Sequence, residues 1–450
     1  MVFLVGLIFC FLASVLEAQV AVRDTVLTVR PGDSLLAIAH RLLPHSTEYT
    51  AEELVDTIKR QNGLQGDVIQ IGQRLDVSLS YAELLDQTVT RAADFAARGV
   101  YITAALVGSR RMLTLADALV AAGGNTVVFD AKDRYGNLGY ASSVPLALEI
   151  GAGQRASIAQ PAKMLDALHR RNIHVVARLT CFYDARLARE RPDFVPLSRE
   201  GPALWSERGK SNWVDPSLPQ VQEYLLAIVR EVAELGVDEI QLDYVRFPTE
   251  GNLADAVFAF DPAVVAKDRI ITDFVIEVER VLEPMGVLLS ADIFGVAAWG
   301  READRRTIGQ HLPDLLPHLD AVSPMLYPSH FEDGFERIDR PVDYPYYFLL
   351  QGCQRLQKLA TAHDVPVRPW IQSFDYRVTH FDSLYVTEQL HGAEDGGARG
   401  WLLWNPASLY KIGLAAIKGF TDGTAATVPV QQRFPKSLGM DLTRPTSVAD

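Results

Sequence analysis

From residue 99 onward the chain alternates short apolar stretches of strand length with longer amphipathic stretches of helical period. Few folds accept that alternation eight times over. The strand candidates are 100–105, 126–132, 174–183, 238–244, 287–294, 320–327, 367–374 and 400–404. Helical runs lie between most of them, at 115–122, 161–171, 220–235, 263–282, 346–363 and 383–394. Eight such units are what a (β/α)8 TIM-type barrel requires, and residues 99–421 are assigned to one. A doubly wound open sheet is the alternative. No G-x-G-x-x-G follows the first strand, and Gly151-Ala152-Gly153 falls in a loop, so the dinucleotide fingerprint of that fold is missing.

The fourth strand, in VDEIQLDYVRFP at 237–248, carries the most information. Ile240 and Leu242 share one parity; Glu239, Gln241 and Asp243 share the other. In an open sheet a polar parity faces water. In a closed barrel the outward parity packs on helices, and the inward parity near the C-terminal strand ends builds the site. Asp243 is therefore expected at the mouth, with Tyr244, Arg246 and Pro248 shaping the loop after it. The alternative for Asp243 is a structural ion pair with Arg246.

The other strand ends are also acidic and aromatic. Strand two offers Asp130, Lys132 and Asp133; strand three, Arg178 and Asp184; strand five, Asp292. Strand six carries Tyr327 and His330; strand seven, Trp370, Gln372 and Asp375; strand eight, Trp404 and Asn405. Paired carboxyl groups beside flat aromatic faces suit sugar hydrolysis, in which two carboxyls act as acid, base or nucleophile and rings stack on pyranose faces.

Other chemistries fit less well. The formal net charge is -13 with no Lys/Arg-rich block, which argues against nucleic acid as a partner. The ten histidines form no H-x-H or H-x-x-x-H pair at a strand end, and His174 opens its strand at the wrong barrel face, so no metal site is assigned. No cofactor is assigned either. A G-x-S-x-G elbow is absent, and Cys181 has no partner histidine nearby in sequence. Cys181 and Cys353 are read as core residues.

The N-terminal run MVFLVGLIFCFLASVL has the length of a signal h-region, with a cleavage point at Ala18. Residues 1–18 are assigned as a signal peptide; a retained N-terminal anchor is the alternative. A lipoprotein reading through Cys10 is disfavoured by Phe9, which stands where a small residue is wanted. No later segment is long and apolar enough to span a bilayer, so no membrane span is expected after cleavage, and the chain is expected to be secreted or held in the cell envelope.

Residues 24–79 follow a β-α-α-β order. A strand at 26–29 meets a turn at Pro31-Gly32-Asp33, Ser34 caps a helix running to His40, and a second helix, 51–61, stops at Asn62-Gly63 before a strand at 67–77. With VRPGDSLLAIA, the NGL step and IQIGQRLDV, the stretch closely resembles a LysM module, departing from it in a longer inter-helix segment, 43–49. The resemblance implies binding of a GlcNAc-containing glycan such as peptidoglycan or chitin. Residues 80–98 read as a linker helix with Leu84, Leu85, Val89 and Phe95 on one stripe. Residues 422–450 lose periodicity and read as a mobile tail.

Residues 99–420 resemble the glycoside hydrolase family of bacterial envelope proteins whose hallmark is D-E-I-Q-x-D-Y-V-R-F-P, here Asp238 to Pro248. FDAKD at 129–133, NWVDP at 212–216, SADIFG at 290–295 and SPMLYPSH at 323–330 support it. The layout is similar to the α-amylase and α-galactosidase clans. That resemblance implies Asp243 as nucleophile or base and Asp292 as the partner acid. Asp130, Lys132, Arg178, Asp184, Arg246 and Gln372 would hydrogen-bond a polysaccharide substrate, while Trp213, Tyr327, Trp370 and Trp404 would stack on it. The competing function is a non-catalytic glycan-binding envelope protein built on the same barrel. The spacing of Asp243 and Asp292 separates the two.

Overall fold

The structure, a computed structural model, describes residues 21–81, 95–201 and 203–438. The assigned signal peptide with Cys10, most of the linker helix with Leu84, Leu85 and Val89, and the last residues of the tail lie outside the described residues. The chain divides into two compact units, Met1–Asp86 and Gln87–Asp450.

In the first unit, strands β1 (Ala21–Thr28) and β2 (Arg74–Tyr81) pair antiparallel, and helices α1 (Leu35–Leu42) and α2 (Ala51–Gln61) pack on them. Leu35, Ile38 and Ala39 of α1 meet Leu54 and Ile58 of α2 over Leu75, Val77 and Leu79. Local chemistry sets each boundary. The Ser34 hydroxyl accepts from the Ala37 N–H, and Thr50 with Glu53 forms a reciprocal capping box. Asn62 closes α2 and also exchanges hydrogen bonds with the Asp76 backbone, tying helix end to strand. Strand β2 starts at Arg74, later than the expected residue 67. Gly72, with φ 84° in the left-handed region, turns the chain first, and Val68 and Ile71 are exposed on the loop before it. The longer inter-helix segment contains a single 3-10 turn, Leu43–His45.

The second unit is a closed barrel of eight parallel strands in sequence order: β3 (Ala97–Ile102), β4 (Thr126–Lys132), β5 (His174–Thr180), β6 (Glu239–Asp243), β7 (Leu288–Phe294), β8 (Ala321–Met325), β9 (Trp370–Gln372) and β10 (Gly400–Trp404). Closure, with Gly400 opposite Ala97, removes the open-sheet alternative. Position 400 needs glycine: its φ is 92°, and a Cβ there would lie 2.1 Å from the Ala97 carbonyl oxygen. Helices α3 (Arg110–Ala121), α4 (Pro161–His169), α5 (Pro219–Glu234), α6 (Lys267–Leu282), α7 (Pro345–Ala360), α8 (Ser383–Asp395) and α9 (Lys411–Thr421) follow the strands, and shorter helices fill the passage from β7 to β8. Helix α5 illustrates the packing. Pro219 starts it, and Val221, Tyr224, Leu225, Ile228 and Val232 form its buried stripe. Burying each large apolar side chain of this kind contributes about 1.5–3 kcal/mol.

The parity of β6 is as expected: Glu239, Gln241 and Asp243 are buried inside the barrel with polar partners on neighbouring strands. At the N-terminal face, Glu239 is held by Arg368, Ser290 and His174. Burial pushes the Glu239 carboxyl up, but Arg368 and His174 outweigh burial and leave it well below the usual range. Cys181 and Cys353 are buried and unpaired.

Past Thr421, in the stretch read as a tail, residues 422–438 are described and still make contacts with the barrel. A short helix, Val430–Arg433, follows; Arg433 pairs with the buried Glu388 at 2.7 Å, and Phe434 meets the Tyr346 ring edge-on. Loss of periodicity marked the end of the barrel repeat, not the end of packing.

Because each unit has its own core, a chain beginning at Gln87 should unfold cooperatively by calorimetry, at the temperature of the barrel transition in the full chain. It should lose retention on insoluble peptidoglycan or chitin. Retention equal to that of the full chain would show that the first unit does not tether.

Candidate active site

Arg178 projects from β5 into the barrel and is the hub of its C-terminal end. Its Nη1 lies 2.5 Å from Asp130 Oδ1 on β4, and its Nη2 lies 2.5 Å from Asp243 Oδ2 on β6. Its Nε donates to the same Asp243 oxygen at 3.0 Å and lies 3.8 Å from Asp292 Oδ2 on β7. One nitrogen reaching both carboxylates bounds their oxygen–oxygen separation by the sum of those two distances, about 6.8 Å. The ion pair proposed for Asp243 with Arg246 does not form; Arg178 takes that place.

Each carboxyl has a different further partner. The Tyr101 hydroxyl donates to Asp130 Oδ2 at 2.5 Å, and Trp370 Nε1 donates to Asp292 Oδ1 at 2.6 Å. Asp243 Oδ1 accepts the Tyr244 N–H at 2.6 Å. Asp292 is 2% exposed. Burial first, then the neighbouring Asp243 charge, push its carboxyl well above the usual range; Arg178 and Trp370 oppose this without reversing it. Burial also raises Asp130, against the pull of Arg178 and the Tyr101 hydrogen bond. Burial disfavours the charged form of Arg178, but Asp243 and Asp130 overcome that and raise its pKa. A carboxyl that holds its proton more firmly than usual thus stands beside a second, hydrogen-bonded carboxyl, a pair that can divide proton donation from attack or charge stabilisation. Tyr244, directly after Asp243, has φ 50°. A bulky residue in the left-handed region is strained, and such strain collects at functional sites.

Several residues expected to bind sugar do other work. Lys132 and Asp184 are fully buried and pair with each other at 2.8 Å. The cause is a bulge between Asp130 and Lys132: Asp130 pairs with Arg178, but Lys132 pairs with Leu179, which turns its side chain to the helix side. Asp184 also caps the helix Ala185–Glu190 through the Leu187 N–H. Gln372 is buried and braces loops, accepting from the Ser329 N–H and donating to the Phe374 carbonyl. Trp213, Tyr327 and Trp370 are buried rather than open platforms. Trp213 is covered by Tyr183 and by the Arg246 guanidinium; Tyr327 and Trp370 belong to the barrel interior.

Trp404 is only partly buried, stacks on Tyr101 with centroids 4.0 Å apart, and lies under Arg178. Arg246 is buried against Trp213, Tyr244 and Phe294. Sequence reasoning missed Tyr101, although a tyrosine near the end of the first strand was a visible signal. It also missed Tyr183, a half-buried ring after strand three, and Phe294, a half-buried ring that ends strand five. Among the described residues, Asp268, His311 and Asp314 could each offer a metal ligand atom, at the starts of the helices Lys267–Leu282 and Leu312–Leu315.

Residues 99–410 match the family described as "Putative glycosyl hydrolase domain" (DUF4015), and residues 27–78 match the LysM domain. The first match spans well over half of the chain, which therefore belongs to that glycosyl hydrolase domain family and carries a LysM domain before it. Among solved structures the chain is similar to the glycoside hydrolase domain of PgaB (BpsB) from Bordetella bronchiseptica, with TM-score 0.56 and 14% identity over 72% of this chain and 99% of that one. That likeness is one of fold. It is also similar to a hypothetical protein from Ruminiclostridium thermocellum ATCC 27405, with TM-score 0.38 and 35% identity over 43% of this chain and 97% of the other. No curated protein matches.

Two measurements follow. Lys132→Met leaves Asp184 buried without its partner and should cost about 3–5 kcal/mol of stability in urea unfolding; a change within error would place the pair outside the core. Asp292 behaves in the opposite sense. Its folded pKa is raised, so its contribution to stability is full below the unfolded Asp value of about 3.9 and is lost as pH rises through the folded value. Asp292→Asn, which keeps the acceptor for Trp370, should therefore be at least as stable as wild type at neutral pH, by melting temperature across a pH series.

Proposed function

We propose that the protein is a secreted or envelope-held glycoside hydrolase that cleaves a polysaccharide with Asp243 and Asp292, its LysM domain tethering it to a GlcNAc-containing glycan. The observation that carries this reading is the pairing of Asp292, raised by burial and by its neighbour, with Asp243 on the next strand. Their separation, at most about 6.8 Å between the nearer oxygens, suits two groups acting on one anomeric carbon. Asp292 protonates the leaving oxygen, and Asp243 attacks or stabilises the developing oxocarbenium ion. Arg178 orients Asp243 and keeps Asp130 beside it. Trp404, partly open and backed by Tyr101, is the stacking face for a sugar ring. Among the described residues no helix is long and apolar enough to cross a membrane.

The second reading, a glycan-binding protein without catalysis, draws on the near-complete burial of both carboxyls and the ion pair of Asp243 with Arg178. Reducing ends released from envelope and exopolysaccharide fractions separate the two. Asp243→Asn should keep the fold, because the amide still accepts from Arg178, and should cut turnover by about a thousandfold or more. The Asp243→Asn/Asp292→Asn double variant should be little worse than either single, since the pair acts as a unit. A folded Asp243→Asn protein that hydrolyses as well as wild type would refute the assignment. Turnover should also fall as pH rises through the raised pKa of Asp292, where the acid loses its proton.

A further inference from the structure

Three arginines among the described residues are buried inside or at the end of this barrel, and two of them are paired with carboxylates. Arg178 is held by Asp130 and Asp243, and Arg368 by both oxygens of Glu239. Arg246 differs. It is only 7% exposed, yet none of the carboxylates among the described residues forms an ion pair with it. Its guanidinium carbon lies 5.0 Å from the Trp213 ring centroid, 5.1 Å from Tyr244 and 4.9 Å from Phe294. Its one hydrogen bond runs from Nη1 to the Phe247 carbonyl at 3.0 Å, and its Nε is sealed without a partner. Nη2 has no bond and is not among the sealed atoms. Asp243, Glu207 and Glu250 act on it only at longer range, and burial pulls its pKa down.

Aromatic faces stabilise the flat sides of a guanidinium but leave its in-plane N–H edge unsatisfied. A buried cation with an unsatisfied fork is costly unless something completes it. The fork matches a planar two-oxygen anion. The guanidinium packs on Tyr244, the residue after Asp243, and on Phe294, two residues after Asp292, which puts whatever completes the fork beside the strand ends that carry the pair.

We propose that Arg246 is a specificity residue that receives the carboxylate of an acidic sugar, making the substrate a carboxylated glycan rather than a neutral one. This rests on the hydrolase reading and sharpens it. Two sugar types carry that carboxylate: a uronic acid, on the ring itself, and a muramic acid, on a lactyl ether.

Equilibrium binding to the full chain tests it without turnover. Glucuronate is compared with glucose, and N-acetylmuramate with N-acetylglucosamine, for wild type, Arg246→Gln and Arg246→Lys. At least one acid should bind about 10-fold or more tightly than its neutral partner, and which acid does so identifies the source. Arg246→Gln should bring the acid down to the neutral level, LysM binding being common to all three proteins. Arg246→Lys should fall between, keeping the charge without the fork. Equal affinities for acid and neutral sugars in wild type overturn the proposal even if neither variant folds. So does an acid preference that survives in Arg246→Gln, or a variant whose melting temperature drops while its preference is unchanged. Acid preference in a wild-type protein that releases no reducing ends from any glycan would leave the subsite standing and remove hydrolysis instead.

Discussion

The site depends on the guanidinium of Arg178. Four strands, β4 to β7, bring Asp130, Arg178, Asp243 and Asp292 to one end of the barrel. Three acids in so small a buried volume would repel one another, and removing water makes that repulsion stronger. Arg178 resolves this by geometry. Its planar fork takes Asp130 on one side and Asp243 on the other, and only Asp292 is left at 3.8 Å, too far for a hydrogen bond. That inequality sets Asp292 apart from its neighbours. The acid furthest from the cation, buried and pressed by the Asp243 charge, has its carboxyl pushed well above the usual range.

The same logic runs through the barrel interior. Barrels of this type usually fill with branched apolar side chains, whereas this one alternates apolar and polar levels. Glu239 with Arg368 and His174 closes the N-terminal end, the Gln241 amide donates to the Ser323 hydroxyl above it, and the Arg178 cluster lies beyond. The side-chain partners of Glu239, Gln241 and Asp243 come from other strands or, for Arg368, from the segment just before β9, so a slip of one residue in β6 would bury several charges unpaired. The polar levels thus fix the register that brings Asp243 and Asp292 together.

Aromatic residues at the strand ends divide by what lies beneath them. Trp370 spends its N–H on Asp292, and Trp213 spends its face on Arg246, so neither is free for a sugar. Trp404 uses one face on Tyr101 and remains partly open. A flat side chain at a strand end is therefore a weak guide to substrate contact until its other neighbours are known.

The sequence by itself determined the repeat, the barrel, the strand that carries Asp243, and the small module before it. Each rests on local period and turn chemistry: alternation along β6, caps at Ser34 and Thr50, the stop at Asn62-Gly63. It also singled out Asp243 and Asp292, because inward parity at a strand end can be read along one strand. Pairing across strands could not be read that way. Arg246 lies close to Asp243 in sequence and looked like its partner, but the partner is Arg178, 65 residues away. Lys132 had the right spacing to face the mouth, and a single bulge turned it away to Asp184. Ion pairs depend on distances of a few ångströms between elements remote in the chain, and only closure of the barrel sets those distances.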